Sequence, residues 1–435
     1  MDLLRTGSLL VVVLGHVLMA VVTWRHDTPR VGNLLAEIPD LKIATWALQV
    51  MPVFFAAGAI ANRLSYASSL ARLEPWRVWL WHRVRRLVRP VVFYLGIWVP
   101  LVLALAAALP DAAAPLGKLS TQLLWFLGVY LFVVATTPWQ VRLARRGIPA
   151  VGALLVAIAL VDVVRFHVSD GVAVVNFVLV WFMAATLGLV VRARVGRVGI
   201  LAVTALGALG VNVVLVAFGP YPVSMVGMPG EPISNMAPPT MALALHSVVL
   251  IALVGMLWPT LDRLCARPRL WHAVVVAGTA AMTVYLWHLT ALVGVTVLEH
   301  EVGFTRGPAT EPRFWALTAL HVFAVLVVTL AVVALALPWE RRRVPWLERP
   351  GTQRVGSAGW SVLGAVGVAA CGCGFLVLAA TGMGGFPFGR VTWYAEVPLT
   401  PGLGLALLAA GVIAARAAGR REGAASRAGP NPPRV

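Results

Sequence analysis

Apolar runs of about 20 residues, the length needed to cross the hydrocarbon core of a bilayer, recur along almost the whole 435-residue chain. They predict twelve membrane-spanning helices, over residues 3–24, 41–61, 90–109, 120–138, 147–166, 172–191, 198–218, 239–261, 271–298, 313–338, 358–380 and 400–416. Polar segments rich in Gly and Pro separate them, and no long-period repeat relates one part of the chain to another. The first run, Leu3 to Thr23, is long enough to span and lacks a small-residue cleavage pattern. It is therefore read as a helix and not as a signal sequence. The expected fold is all-α: a polytopic transmembrane helical bundle, with a ten-helix core and two extra helices toward the C-terminus.

Composition supports this reading, because 60% of the residues are hydrophobic and only 12% are charged. A soluble chain of this length needs more polar surface to cover its core. A net charge of +18 would suggest nucleic-acid binding in a soluble protein. Its distribution gives a simpler cause. With the N-terminus in the cytoplasm, 27 of the 35 Lys and Arg residues fall in or beside inside segments, and the outside loop 219–238 has none. That is the positive-inside pattern, so the charge reports topology and no nucleic-acid partner is expected. The expected location is the cell (plasma) membrane, multi-pass, with both termini cytoplasmic. Residues 76–90, where Trp76, Trp79 and Trp81 precede Arg83, Arg85, Arg86 and Arg89, have the composition of an interfacial helix on anionic lipid. Three cysteines, Cys265, Cys371 and Cys373, are too few and too poorly placed for a disulfide framework or a metal site.

Candidate chemistry concentrates on the first helix. Arg5 and His16 are eleven residues apart, three turns plus about 20°, so both project from one face, separated by about 16 Å along the axis. Asp2 precedes Arg5 by three residues, a favourable helical pair. A polar stripe on an apolar helix implies an aqueous or protein-lined path. From this helix alone two readings stay open: a functional pair, or a topology-anchoring arginine beside a hydrogen-bonded core histidine.

The context DLLR…LVVVLGH around Arg5 and His16 resembles the acyltransferase 3 family of integral membrane O-acyltransferases. Four further segments resemble that family in order: MPVFFAAGAIAN (51–62), the Arg83-x-x-Arg86 and Arg86-x-x-Arg89 run, LLWFLGVYL (123–131) and MTVYLWHLTALV (282–293). The resemblance covers about residues 1–345. One departure is Ala57, where many members have Ser before the helix-2 glycine, so no role of that Ser is carried over. The resemblance implies transfer of an acyl group, acetyl being one choice, from a cytoplasmic thioester donor to a hydroxyl of a glycan, lipid or small natural product. Acyl-CoA is the implied co-substrate, and no bound cofactor is expected. Surrounding membrane lipids are the remaining expected partner.

In that frame His16 is the expected general base, since a hydroxyl is a poor nucleophile at pH 7 and imidazole is matched to that pH. His288, three residues after Tyr285 and on its face of the helix, is the second catalytic candidate. Arg5, Arg83 and Arg86 are the expected contacts of the donor's phosphates. Tyr285 and Asn235 complete the candidate binding residues. His246 and His321 are read as structural, Asn176 and Asn212 as interhelical hydrogen-bonding residues, and Asp162 with Arg165 as a structural ion pair. The expected division is a core over 1–345, two additional helices within 346–416, and a basic, disordered cytoplasmic tail over 417–435. Usage rich in Arg, Ala, Val and Gly, with two lysines, matches a high-GC bacterial source. The alternative class is a multi-pass transporter with intramembrane histidines handling protons or substrate.

Overall fold

The computed structural model describes residues 1–25, 28–228, 231–342, 344–348, 358–389, 391–394 and 397–419. Residues 349–357 and the expected tail from residue 420 onward lie outside the described residues. Among the described residues, twelve helical segments are long and apolar enough to cross a membrane. The principal helices are α1 (Asp2–Met19), α2 (Met51–Ala71), α3 (Trp76–Ala108), α4 (Pro110–Thr121), α5 (Leu124–Ala135), α6 (Ile148–His167) and α7 (Val174–Arg192). They continue as α8 (Val198–Phe218), α9 (Met241–Cys265), α10 (Pro268–Glu301), α11 (Pro312–Glu340), α12 (Ala358–Thr381) and α13 (Pro401–Ala418). Helices α4 and α5 together make one span, Asp111–Ala135. The all-α polytopic bundle is as the hydropathy pattern predicts.

Several boundaries differ from expectation: the second span runs to Ala71, ten residues past its predicted end, the fourth begins at Asp111 and not at residue 120, and two further differences concern the first and third helices. The first helix stops at Met19, five residues before its predicted end, and Ala20–Arg25 (β1) pairs antiparallel with Thr28–Asn33 (β2). The apolar content of Val21-Val22-Thr23-Trp24 extends the hydropathy run, but β-branched and aromatic residues suit a hairpin equally well. The third helix begins at Trp76 and not at residue 90. The arginine-rich segment is the first half of α3 itself, joined to α2 by the short connection Arg72–Pro75, and not a separate interfacial helix. Val84, Val88 and Val91, at helical spacing, turn the apolar face of that half inward and are fully buried. A 33-residue helix is about 50 Å long, more than a roughly 30 Å hydrocarbon layer holds. The arginine-bearing end therefore extends past the apolar part, 91–108.

Peripheral helices expose apolar side chains. Val203, Leu206 and Val214 on α8 are each more than half exposed, as a lipid-facing surface requires. Between helices the approach is close and uses small residues. A Cβ added at Gly188 of α7 would lie 2.6 Å from the Cβ of Ala56 on α2. The C-terminal pair α12 and α13 pack on each other and against α3 and α5. There Gly128 of α5 meets the backbone of Gly372, and a Cβ at Gly128 would lie 2.7 Å from the Gly372 carbonyl oxygen. Arg77 Nη1 of α3 donates to the Ala418 carbonyl at 2.9 Å, and Lys118 Nζ of α4 donates to the carbonyls of Ala379 and Ala380 at 2.8 and 2.5 Å. The extra pair is thus built into the bundle wall.

Helix α1 packs against α10, α2 and α11, and its Arg5 and His16 are both partly buried.

Candidate active site

His16, one turn before the end of α1, meets His288 in the middle of α10. His16 Nδ1 and His288 Nε2 are 3.1 Å apart, and the rings stack with centroids 5.3 Å apart and planes 13° apart. His288 is fully buried and His16 is half-buried. The partners of His288 fix the direction of this hydrogen bond. Its Nδ1 lies 2.9 Å from the Tyr285 carbonyl oxygen and 3.2 Å from that of Val284. Carbonyls only accept, so His288 Nδ1 carries a hydrogen. In the neutral imidazole Nε2 then accepts, His16 Nδ1 donates, and the lone pair of His16 is on Nε2. The pair leaves one unprotonated imidazole nitrogen on a half-buried side chain.

The turn of α10 around His288 is held from three sides. Tyr285 donates its hydroxyl hydrogen to the Leu123 carbonyl at 2.7 Å, at the break between α4 and α5. Glu340, buried at the end of α11, accepts from Thr283 Oγ1 at 2.6 Å and from Trp287 Nε1 at 2.9 Å. Trp287 in turn packs edge-on against Tyr94 of α3 at 5.0 Å. Glu340 escaped the sequence reading because it sits in the run PWERRR, where a single acid beside arginines reads as a surface pair. Its neighbour Trp339 is half exposed while Glu340 is 6% exposed, a contrast that hydropathy cannot supply.

Arg5 stands at the other end of α1. It pairs with Asp2 at 3.8 Å and places its guanidinium over the Phe54 ring at 5.6 Å. Arg83 of α3 lies over Trp79 at 5.8 Å and interacts electrostatically with Arg5, Arg86 and Tyr130. Arg83 is half-buried and Arg86 exposed. The three arginines expected to meet a donor are therefore gathered at one end of the bundle. Arg89 is engaged otherwise: it pairs with Glu348 at 3.4 Å and donates to the carbonyls of Arg341 and Arg342. Aromatic rings connect the arginine end to the histidine end. Phe54 packs on Phe126 at 5.0 Å, Phe126 on Tyr285 at 5.2 Å, and Tyr285 lies 6.2 Å from the His288 ring.

Asn235 is elsewhere. It is fully buried in the 219–240 loop, where Nδ2 donates to the carbonyls of Pro222 at 2.7 Å and Ser224 at 3.0 Å. Its Oδ1 accepts from Thr240 Oγ1 at 2.8 Å. Those bonds fold the loop onto residues 42–49, where Gln49 Nε2 donates to the Met225 carbonyl at 2.8 Å and Lys42 pairs with Glu231 at 2.8 Å. Asp162 anchors the same loop, accepting from Asn176 Nδ2 at 2.9 Å, Tyr221 Oη at 3.0 Å and the Met241 amide at 2.7 Å. Burial and the adjacent carboxylate push the Tyr221 hydroxyl up, which keeps it a donor. Asp162 and Arg165 interact electrostatically, in keeping with their i,i+3 spacing, but make no ion pair within 4 Å; Arg165 pairs with Asp170 at 3.3 Å, one short loop away. Asn176 does make an interhelical bond, whereas buried Asn212 has no side-chain partner among the described residues.

A family model described as an acyltransferase domain, acyltransferase 3, matches residues 1–337. Comparison with curated proteins gives no match. Comparison with solved structures gives none either. The matched stretch holds both histidines, the three gathered arginines and Tyr285, and ends three residues before Glu340. The chain belongs to the acyltransferase 3 family and is a multi-pass membrane acyltransferase.

Proposed function

We propose that the protein moves an acyl group from a cytoplasmic acyl-CoA to a hydroxyl of a glycan, lipid or small natural product, with His16 as general base. The observation that carries this reading is the His16–His288 hydrogen bond at 3.1 Å, which leaves His16 Nε2 free to take a proton. The acceptor hydroxyl gives its hydrogen to His16 Nε2 as its oxygen attacks the thioester carbonyl carbon. The tetrahedral intermediate collapses with cleavage of the C–S bond, and the departing thiolate recovers the proton from His16. No net proton is released, and the products are the acyl ester and free CoA. His288 acts as a positioning residue, accepting from His16 Nδ1 throughout and favouring the imidazolium that forms transiently.

Donor placement follows from charge and shape. Arg5, Arg83 and Arg86 supply the permanent positive charge that phosphates need. The spacing of about 16 Å between Arg5 and His16 suits a long, thin pantetheine arm lying along Phe54, Phe126 and Tyr285. In this account the arginine end faces the cytoplasm, both termini are cytoplasmic, and the membrane is the plasma membrane. Matching of the acyltransferase family favours transfer over transport.

The experiment is release of CoA from acetyl-CoA, with water as the acceptor and acetate as the second product, by the full-length protein in lipid nanodiscs, titrated in donor for wild type, Arg5→Ala and Arg83→Ala. A donor KM raised about tenfold in either variant, the loss of one charged hydrogen bond, supports the placement. Wild-type protein that neither binds nor turns over acyl-CoA overturns the choice of donor.

A further inference from the structure

Beyond the two histidines, toward the far end of α1, a second polar cluster is buried where α10 and α11 meet the β1–β2 hairpin. His321 of α11 is 1% exposed, and its Nδ1 lies 2.8 and 2.9 Å from the two Glu299 oxygens of α10. The carboxylate accepts, so Nδ1 carries the hydrogen, and in the neutral imidazole Nε2 is an acceptor. That Nε2 is buried without a protein partner. Thr318, 2% exposed and one turn before His321 on the same face, has a hydroxyl that is equally unpartnered. Arg306 interacts electrostatically with Glu299 and Glu37, donates to the Ala20 carbonyl at 3.1 Å, and lies over the Phe314 ring at 5.7 Å. Its Nη1 is the third buried polar atom without a protein partner. Phe314 precedes Thr318 by one turn of α11, which closes the ring of residues. Buried polar atoms in native proteins are almost always hydrogen-bonded, and three unpartnered ones on residues linked through Glu299 and Phe314 mark a candidate site for a polar ligand.

From Ala20, which Arg306 touches, to His16 is four residues, or about 6 Å of helix rise. Glu299 follows His288 by eleven residues and so lies on the same face of α10, about 16 Å further along. Glu299 keeps 18% of its side-chain surface exposed, so the cluster reaches the surface on the side away from Arg5. The bonding capacity defines the ligand. Nε2 needs a donor, Arg306 Nη1 needs an acceptor, and the Thr318 hydroxyl can serve as either. An anion offers no donor and meets Glu299 and Glu37, while a cation meets Arg306. Vicinal hydroxyls of a neutral sugar satisfy all three.

We infer that Glu299, Arg306, Thr318 and His321 form the acceptor subsite, holding a neutral polyhydroxyl group so that one of its hydroxyls reaches His16. This inference rests on the acyl-transfer reading of His16. The test uses full-length protein in nanodiscs with methyl α-D-glucopyranoside as the probe, and glycerol 3-phosphate and choline as charged controls. Two readouts are taken: the thermal shift on adding each compound, and its effect on CoA release from acetyl-CoA.

The glucoside is expected to stabilise the wild type and to accelerate CoA release saturably, with the charged controls doing neither. Thr318→Val, of nearly the same shape, and Glu299→Gln are expected to raise the glucoside KM about tenfold, with a smaller change in kcat. Leu320→Ala, on the lipid-facing side of α11, keeps the wild-type glucoside KM. If Glu299→Gln does not fold, Thr318→Val alone decides. Wild-type KM in Thr318→Val overturns the subsite, as does an equal effect of a charged control. Turnover of acetyl-CoA without any glucoside effect also overturns it and leaves the transferase reading standing. Stabilisation by glucoside that is lost in Thr318→Val, with no turnover of acetyl-CoA, keeps the subsite and sinks the donor assignment.

Discussion

Replacing His288 tests how the two histidines divide their work. His288→Ala removes the acceptor for His16 Nδ1–H, a bond of 3.1 Å between stacked rings. A net hydrogen bond is worth about 1 kcal/mol, which sets a floor of roughly fivefold on the loss in kcat. A ceiling comes from general-base catalysis, about 10²- to 10⁴-fold, reached if the freed imidazole turns its lone pair away from the acceptor. His288→Gln should fall between wild type and Ala, because its amide oxygen can accept from His16 Nδ1. The assay is CoA release measured with a thiol reagent, with kcat and donor KM determined separately, on variants whose melting temperature matches wild type. The loss should sit in kcat, since His288 lies far from Arg5 and Arg83. His16→Ala/His288→Ala should be no slower than His16→Ala, because a positioning residue has nothing left to position. A His288→Ala enzyme within twofold of wild-type kcat refutes the reasoning. So does a double variant whose defect is the product of the single ones.

Three other outcomes follow from the same geometry. The donor KM increase in Arg5→Ala and Arg83→Ala should shrink as salt is raised from about 0.01 M to 0.5 M, because the screening length falls severalfold; a salt-independent increase would argue against phosphate contacts. Asp162→Ala strips a buried acceptor from Asn176, Tyr221 and the Met241 amide, and should lower the melting temperature by several degrees at an expected cost of about 3 kcal/mol or more, whereas Tyr221→Phe should cost about 1 kcal/mol. Gly128→Val drives a side chain into the Gly372 backbone and should loosen α12 and α13 from the bundle, read as faster proteolysis of the C-terminal segment; unchanged proteolysis would mean the helices adjust.

The number and order of spanning helices were legible because hydropathy is a sum over about 20 residues and tolerates local error. Span 198–218 coincides with α8, and most other spans fall within a few residues. Boundaries failed where one residue type serves two structures. Val21 to Trp24 are as apolar in a hairpin as in a helix, and the 76–90 arginines occupy the exposed side of a helix whose valines are buried. For the site, helical spacing alone put Arg5 and His16 on one face. The contact with His288 depends on how α1 crosses α10, which no local pattern encodes. The same limit hid Glu340, whose partners Thr283 and Trp287 are more than 50 residues away. It also hid the contact of His321 with Glu299, which lies across the α10–α11 turn. Asn235 was legible as a special position beside Pro238 and Pro239, but its three hydrogen bonds all stay within the loop it folds.

The central claim is that His16 Nε2 is the base, and a single-turnover experiment reaches it most directly. Full-length protein in nanodiscs, in excess over acetyl-CoA labelled in the acetyl group and with water as the acceptor, is followed for loss of thioester and release of labelled acetate in wild type and His16→Ala. The account predicts that His16→Ala still binds acetyl-CoA, through Arg5 and Arg83, and loses the thioester about 10²- to 10⁴-fold more slowly. A folded His16→Ala protein that consumes the thioester at the wild-type rate contradicts it.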